Sequence, residues 1–272
     1  MTHTQRYSSV ARIALVGTLL FAAGCAISTQ REVDMGGDFA LQVNRQLRLV
    51  RDADVVSYVN VLGDSIAAIA DDRGLDWTFH VVDSKEVNAF AAPGGYVWVN
   101  RGLIERTTNL AQLAGVLAHE IGHVTMRHSV QQMETSQRAN VGLTLACILT
   151  NVCDYGITNT AVQLGGGALF AKFSRDDETE ADRVAVQYVT RAGIDPRGIP
   201  DMFRILLKER EDRPTGMQGW FSTHPLEEAR VRATEAEIAR MPAASLKGLR
   251  MDSERFQQFR RRVIALPTVA TR

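Results

Sequence analysis

Two histidines four residues apart with a glutamate beside the first, His119-Glu120-Ile121-Gly122-His123, constrain this chain more than any other feature. The spacing has meaning only on a helix, where one turn separates the histidines and both imidazoles leave the same face. Leu110, Leu113, Leu117, Ile121 and Val124 recur at helical spacing with Ala111, Ala114 and Ala118 between them, so a helix is expected here independently of the motif. Asn109 followed by Gln112 predicts a capping box at its start. In that geometry His119 and His123 are candidate metal ligands, and Glu120 is offset enough to serve a water on the same metal without ligating it. The bland alternative is a helix with two satisfied histidines and a surface glutamate.

A catalytic zinc normally takes three protein ligands and keeps one position open, so a further ligand must come from downstream. Ser174 to Asp182 opens a second helical run in which Glu178 and Asp182 lie one turn apart on one face, while Glu180 is rotated away. Glu178 can ligate, and Asp182 can hold a ligand histidine by its other ring nitrogen. Ser174 as N-cap followed by acids in the first turn would also satisfy the helix dipole with no metal at all. Coexistence with the histidine motif favours the metal.

The stretch His119 to Val124, with the Ser-Arg-x-x-Glu-x-x-Ala-Asp pattern of Ser174 to Asp182, resembles the metallopeptidase family of the CAAX prenyl protease, HtpX and the mitochondrial inner-membrane protease Oma. Two more segments agree with it: Asn88 to Asn100 and Thr223-His224-Pro225. The likeness runs from about Asp34 to about Arg240. It implies one Zn2+ per chain held by His119, His123 and Glu178, with Glu120 as general base and Asp182 behind a ligand histidine. It also implies an HExxH zinc-peptidase core of the gluzincin type. The surroundings differ, because HtpX-type members carry several membrane spans and some secreted relatives a C-terminal repeat domain. His224 keeps three readings: a donor to the developing oxyanion, a fourth ligand that blocks the metal, or a residue that starts a helix with Pro225 at its first position.

With 272 residues, 45% of them hydrophobic and 23% charged, the chain can bury a substantial core without staples. The formal net charge is zero, and no basic face or motif points to nucleic acid as a partner. The expected class is α+β, mainly helical, with a small sheet bordering the cleft. One or two helices are predicted between Phe39 and Ala70, a strand from Trp77 to Val82, and a hairpin of 88–92 and 96–100 around Pro93-Gly94-Gly95. Asn88, Ala89, Phe90 and Ala91 form a candidate edge strand that pairs with an extended substrate, or else a plain sheet edge. The apolar stretch 141–173, with Gly165-Gly166-Gly167 inside it, reads as core helices, a lid or a membrane-touching hairpin. Helices are expected to about Thr190, from Gly198 to Glu209 and from Pro225 to Arg240. In the tail, Phe256, Phe259 and Arg260-Arg261-Arg262 suit either packing on the domain or contact with anionic lipid.

At the N-terminus, Arg6 and Arg12 precede the apolar run from Ile13 to Gly24, which is shorter than the ~20 residues a bilayer requires and reads as a signal-peptide core. Ala22-Ala23-Gly24-Cys25 resembles a bacterial lipobox, which implies lipidation of Cys25; Ala26 after it favours the outer membrane. In that compartment Cys147 and Cys153 are candidates for a disulfide, provided that a turn brings them closer than the ~9 Å an unbroken helix would impose. Two small buried hydrophobes are the alternative. The expected divisions are a signal peptide (1–24), a lipidated linker (25–33), a peptidase domain (34–240) and a C-terminal helical tail (241–272).

The resulting expectation is a zinc-dependent endopeptidase tethered by lipid and facing the periplasm. Its expected substrates and partners are misfolded or stalled envelope proteins, outer-membrane proteins and their assembly machinery. Two other readings stand beside it: a chaperone-like assembly factor that binds outer-membrane strands, and a latent peptidase with a blocked zinc.

Overall fold

The computed structural model describes residues 26–136, 172–212, 220 and 223–267. The chain enters through α1 (Thr29–Gln46), capped by Ser28, and α2 (Ala53–Ala70), capped by Asp52. Strands β1 (Thr78–Val82), β2 (Ala89–Ala92) and β3 (Tyr96–Asn100) follow, and their order in the sheet is β1-β3-β2. The predicted hairpin is present, with β2 antiparallel to β3 and Ala91 opposite Val97. Its turn is built on Gly94 and Gly95 at φ 84° and 97°, where a side chain would be strained. The sequence pattern did not foretell that β1 pairs in parallel with β3, which leaves β2 as an edge.

Helices supply the rest: α3 (Arg101–Arg106), α4 (Leu110–Thr125), α5 (residues 128–136), α6 (Arg175–Arg191), α7 (Gly198–Asp212), α8 (Glu228–Arg240) and α9 (Glu254–Ala265). Helix α4 is the axis of the molecule, buried from Leu110 to Val124 because α2, α6 and α7 pack around it. Gly122 lets α6 approach closely; a Cβ there would stand 2.9 Å from Val184 and 3.3 Å from the Ala181 carbonyl oxygen. One sheet face, with Phe79, Val81, Val97 and Val99, joins this core, while Trp98 and Val82 form a smaller cluster with Ala40 and Val43 of α1. Helix α2 is long and apolar enough by composition to cross a membrane, but Val55, Val59 and Ile66 are fully buried and mark a core helix.

Several expectations change in detail. Asn109 caps α4 by accepting from the Gln112 N–H, yet the Gln112 side chain reaches one residue further back and accepts from Thr108 N–H at 2.7 Å. The reciprocal box forms on α6, between Ser174 and Asp177. Helix α8 begins three residues after Pro225, because the carbonyls of Pro225 and Leu226 are taken by Arg230 and Arg210 and this segment stays extended.

Residues 29–33, expected to lie in a linker, are helical. Helix α1 already starts at Thr29, the Ile27 N–H donates to Glu134, and Glu32 is buried between Arg73 and Arg127. In the tail Phe256, Phe259 and Val263 sit in the main core, with Phe259 stacked on Tyr58 at 4.1 Å. The signal peptide, Cys25, Cys147, Cys153 and all but the last two residues of the apolar stretch 141–173 lie outside the described residues.

Candidate metal centre

Helix α4 presents His119, Glu120 and His123; α6 crosses it at Gly122 and presents Glu178 and Asp182; His224 follows helical Thr223, its N–H bonded to the Trp220 carbonyl at 2.8 Å. The Nε2 atoms of His119 and His123 are 3.0 Å apart. Glu178 reaches both, with Oε2 3.6 Å from His119 Nε2 and Oε1 3.4 Å from His123 Nε2. Its Oε1 is also 2.9 Å from His224 Nδ1. One ligating atom from each of these four residues lies within 4.8 Å of the others. Each of the four is at most 2% exposed.

Asp182, on the face of α6 that meets α4, has Oδ1 2.9 Å from His119 Nδ1. Glu120 lies beside the cluster; among the described residues neither carboxylate oxygen has a hydrogen-bond partner, and His224 Nε2 stands 3.5 Å from Oε1. Of the candidate edge strand, Ala91 lines a small cavity of about 10 Å³ that His123 also lines. Asn88 precedes β2, and its carbonyl is bound to Asn100 N–H.

Sequence reasoning missed four neighbours. Arg230 of α8 donates to both oxygens of Asp182 at 2.7 and 2.8 Å, bonds Glu178 as well, and lies over the Phe203 ring. His128, the first residue of α5, has its Nδ1 2.9 Å from Nδ1 of His123. Trp220 stacks on His224 at 4.5 Å, and Phe173 covers His123 at 3.9 Å. An extra histidine just past the motif was the one visible signal for His128; Arg230 and Trp220 have no spacing that ties them to it.

The electrostatics follow from burial and charge. Burial pushes the Glu120 carboxyl up, with His224 and His119 opposing. Burial also works against the charge on Glu178, yet His224, His119 and His123 hold its pKa below the ordinary value. His123 is pushed well below its ordinary value by burial. His119 goes the other way, to about 9, because Asp182 and Glu178 outweigh the desolvation. A buried set of imidazoles and one carboxylate, with an unpartnered carboxylate beside it, fits a borderline divalent cation of the zinc kind and its water.

Residues 51–238 match the family model for peptidase family M48. The chain belongs to that family, whose members are metal-dependent peptidases. It is 32% identical to the beta-barrel assembly-enhancing protease of Yersinia pestis over 220 residues, which is 77% of this chain and 44% of that relative. The same protease of Escherichia coli (strain K12) gives the same identity and coverage. The mitochondrial metalloendopeptidase OMA1 of Schizosaccharomyces pombe is 30% identical over 70% of this chain and 54% of its own length. The chain thus spans less than half the length of its bacterial relatives named here. The resemblance read from the motifs holds, as does the mainly helical α+β class with its small sheet.

Proposed function

We propose that the chain is a zinc-dependent endopeptidase, tethered by lipid on Cys25 to the outer membrane and facing the periplasm, that cleaves misfolded or stalled envelope proteins. The observation that carries the catalytic part is the convergence of His119, His123, Glu178 and His224 beside the unpartnered carboxylate of Glu120. His119, His123 and Glu178 would hold the metal. When bound, zinc supplies Lewis acidity toward the scissile carbonyl and lowers the pKa of water. Glu120, whose carboxyl burial makes more basic, takes the proton of the attacking water and returns it to the leaving amine. Asp182 orients His119 through Nδ1, and Arg230 fixes Asp182. His224, whose Nε2 stands 3.5 Å from Glu120 Oε1, would donate to the developing oxyanion.

The envelope setting and the substrate class are supported by the lipobox-like Ala22-Ala23-Gly24-Cys25 and by relatives named for β-barrel assembly. A latent form is favoured by one observation of its own: His224 Nδ1 lies among the ligating atoms, where a fourth ligand would exclude water.

Zinc content and cleavage of an unfolded outer-membrane protein by residues 26–272, beside Glu120→Gln, test the reading. The variant should keep zinc and fold but lose nearly all cleavage. Full turnover by Glu120→Gln would sink the mechanism, and assembly support without cleavage would favour the chaperone-like reading. Cys25→Ala should abolish lipid labelling and release the protein from membranes.

A further inference from the structure

The two edges of the His123 ring face different partners. Nε2 faces the centre, while Nδ1 faces outward to Nδ1 of His128, 2.9 Å away. His128 is 1% exposed, and its Nε2 lies 3.4 Å from Glu180 Oε2 and 4.0 Å from Asp177 Oδ1. It arrives there because α4 ends at Thr125 and Arg127, at φ 60° and bonded to Glu32, turns the chain so that α5 starts against His123. Phe173 stacked on the His123 face leaves the edge contacts to decide the ring's rotation and proton placement.

Two neutral imidazole nitrogens this close share one proton, one donating and the other accepting. To offer a lone pair at Nε2, His123 must carry its proton on Nδ1, so His128 Nδ1 is the acceptor. His128 then carries its own proton on Nε2 and donates it to Glu180, with Asp177 beside it. We propose that His128 is the positioning residue for His123: it holds the tautomer and ring orientation that aim Nε2 at the centre, and Glu180 sets the tautomer of His128 in turn. This inference rests on the zinc reading above. It gives His123 what Asp182 gives His119, with a neutral acceptor polarised by a carboxylate one ring further out. Glu180, rotated away from the ligands on its own helix, thereby acts on the centre from the far side of His128.

The test compares wild type, His128→Leu and His128→Asn by zinc affinity against a competing chelator and by melting of the metal-free forms. The asparagine carbonyl can take the place of Nδ1 as acceptor; leucine cannot. Leucine should lower zinc affinity by about 10- to 100-fold and asparagine should restore most of it, while the two metal-free proteins melt alike. Glu180→Ala should cost less, because Asp177 and solvent stand in for it. In zinc-loaded wild type with 15N-labelled histidine, a through-hydrogen-bond coupling should link His123 Nδ1 and His128 Nδ1. Unchanged affinity in His128→Leu, or equal losses in both variants, overturns the proposal. Should His128→Leu not fold, absence of the coupling in wild type overturns it. Failure of wild type to bind zinc sinks the functional reading instead.

Discussion

Replacing Arg230 by methionine keeps an aliphatic stem under Phe203 but removes a guanidinium that bonds Asp182 twice and Glu178 as well. The two carboxylate side chains are 7% and 0% exposed, so solvent cannot take over. Removing one partner of a buried ion pair costs about 3–5 kcal/mol, because the surviving charge stays desolvated. One arginine serves two acids here, but Asp182 keeps His119 and Glu178 keeps His224, which holds the loss near that range and well short of its double. At about 2–4 °C per kcal/mol for a domain of this size, the metal-free variant should melt roughly 6–20 °C below metal-free wild type. Zinc should narrow the gap if a cation at Glu178 replaces the lost positive charge, because only tighter binding by the variant makes its RT ln(1 + [L]/Kd) gain exceed that of wild type. Thermal unfolding with a chelator and then with excess zinc measures both. A metal-free variant that melts within about 2 °C of wild type would refute the argument that Arg230 compensates the buried acids. A gap unmoved by zinc would detach Arg230 from the metal centre.

Glu178→Ala should abolish zinc binding, whereas Asp182→Ala should weaken it about 10- to 100-fold; the control is exposed Asp176→Ala, since Glu180 touches His128. Chelator competition separates the three, and equal losses would mean that the wrong acid was chosen. His224→Ala should lower turnover by about 100-fold if His224 serves the oxyanion, and raise it if His224 is a blocking ligand; unchanged kinetics would leave His224 a purely structural role. For pH, the His119 pKa is about 9 folded against an ordinary 6.5, so its stabilising contribution is full below 6.5 and is lost as pH rises through 9. The melting temperature of the metal-free protein should therefore fall across that window, while the zinc-loaded form, in which metal displaces the proton, should not; parallel curves would contradict the assignment.

Helix α4 was legible because its two signals coincide: leucines at helical spacing set the buried face, and the histidines fall on that face. Glu178 and Asp182 were legible for the same reason, as neighbours one turn apart on a helix with a clear cap. Arg230 was not, because its role depends on where α8 lies against α6, and helix packing leaves no trace in local spacing. His128 depended on a left-handed residue at Arg127, a position where arginine gives no hint of a turn. The start of α8 was misjudged because Pro225 has the right backbone for a first helical residue, while distant arginines decide the matter by taking the carbonyls.

Among the described residues the buried centre holds three carboxylates, Glu120, Glu178 and Asp182, against one guanidinium, that of Arg230. With neutral imidazoles the cluster is therefore short of two positive charges, in surroundings where each unpaired charge costs several kcal/mol. Protons can make up the shortfall, and the upward shifts of His119 and Glu120 show where they would go. A divalent cation makes it up in one step and returns the imidazoles to the neutral form that ligates. Proton and metal compete for the same nitrogen, so the affinity of the site is built into its packing as a charge deficit and not only into ligand geometry.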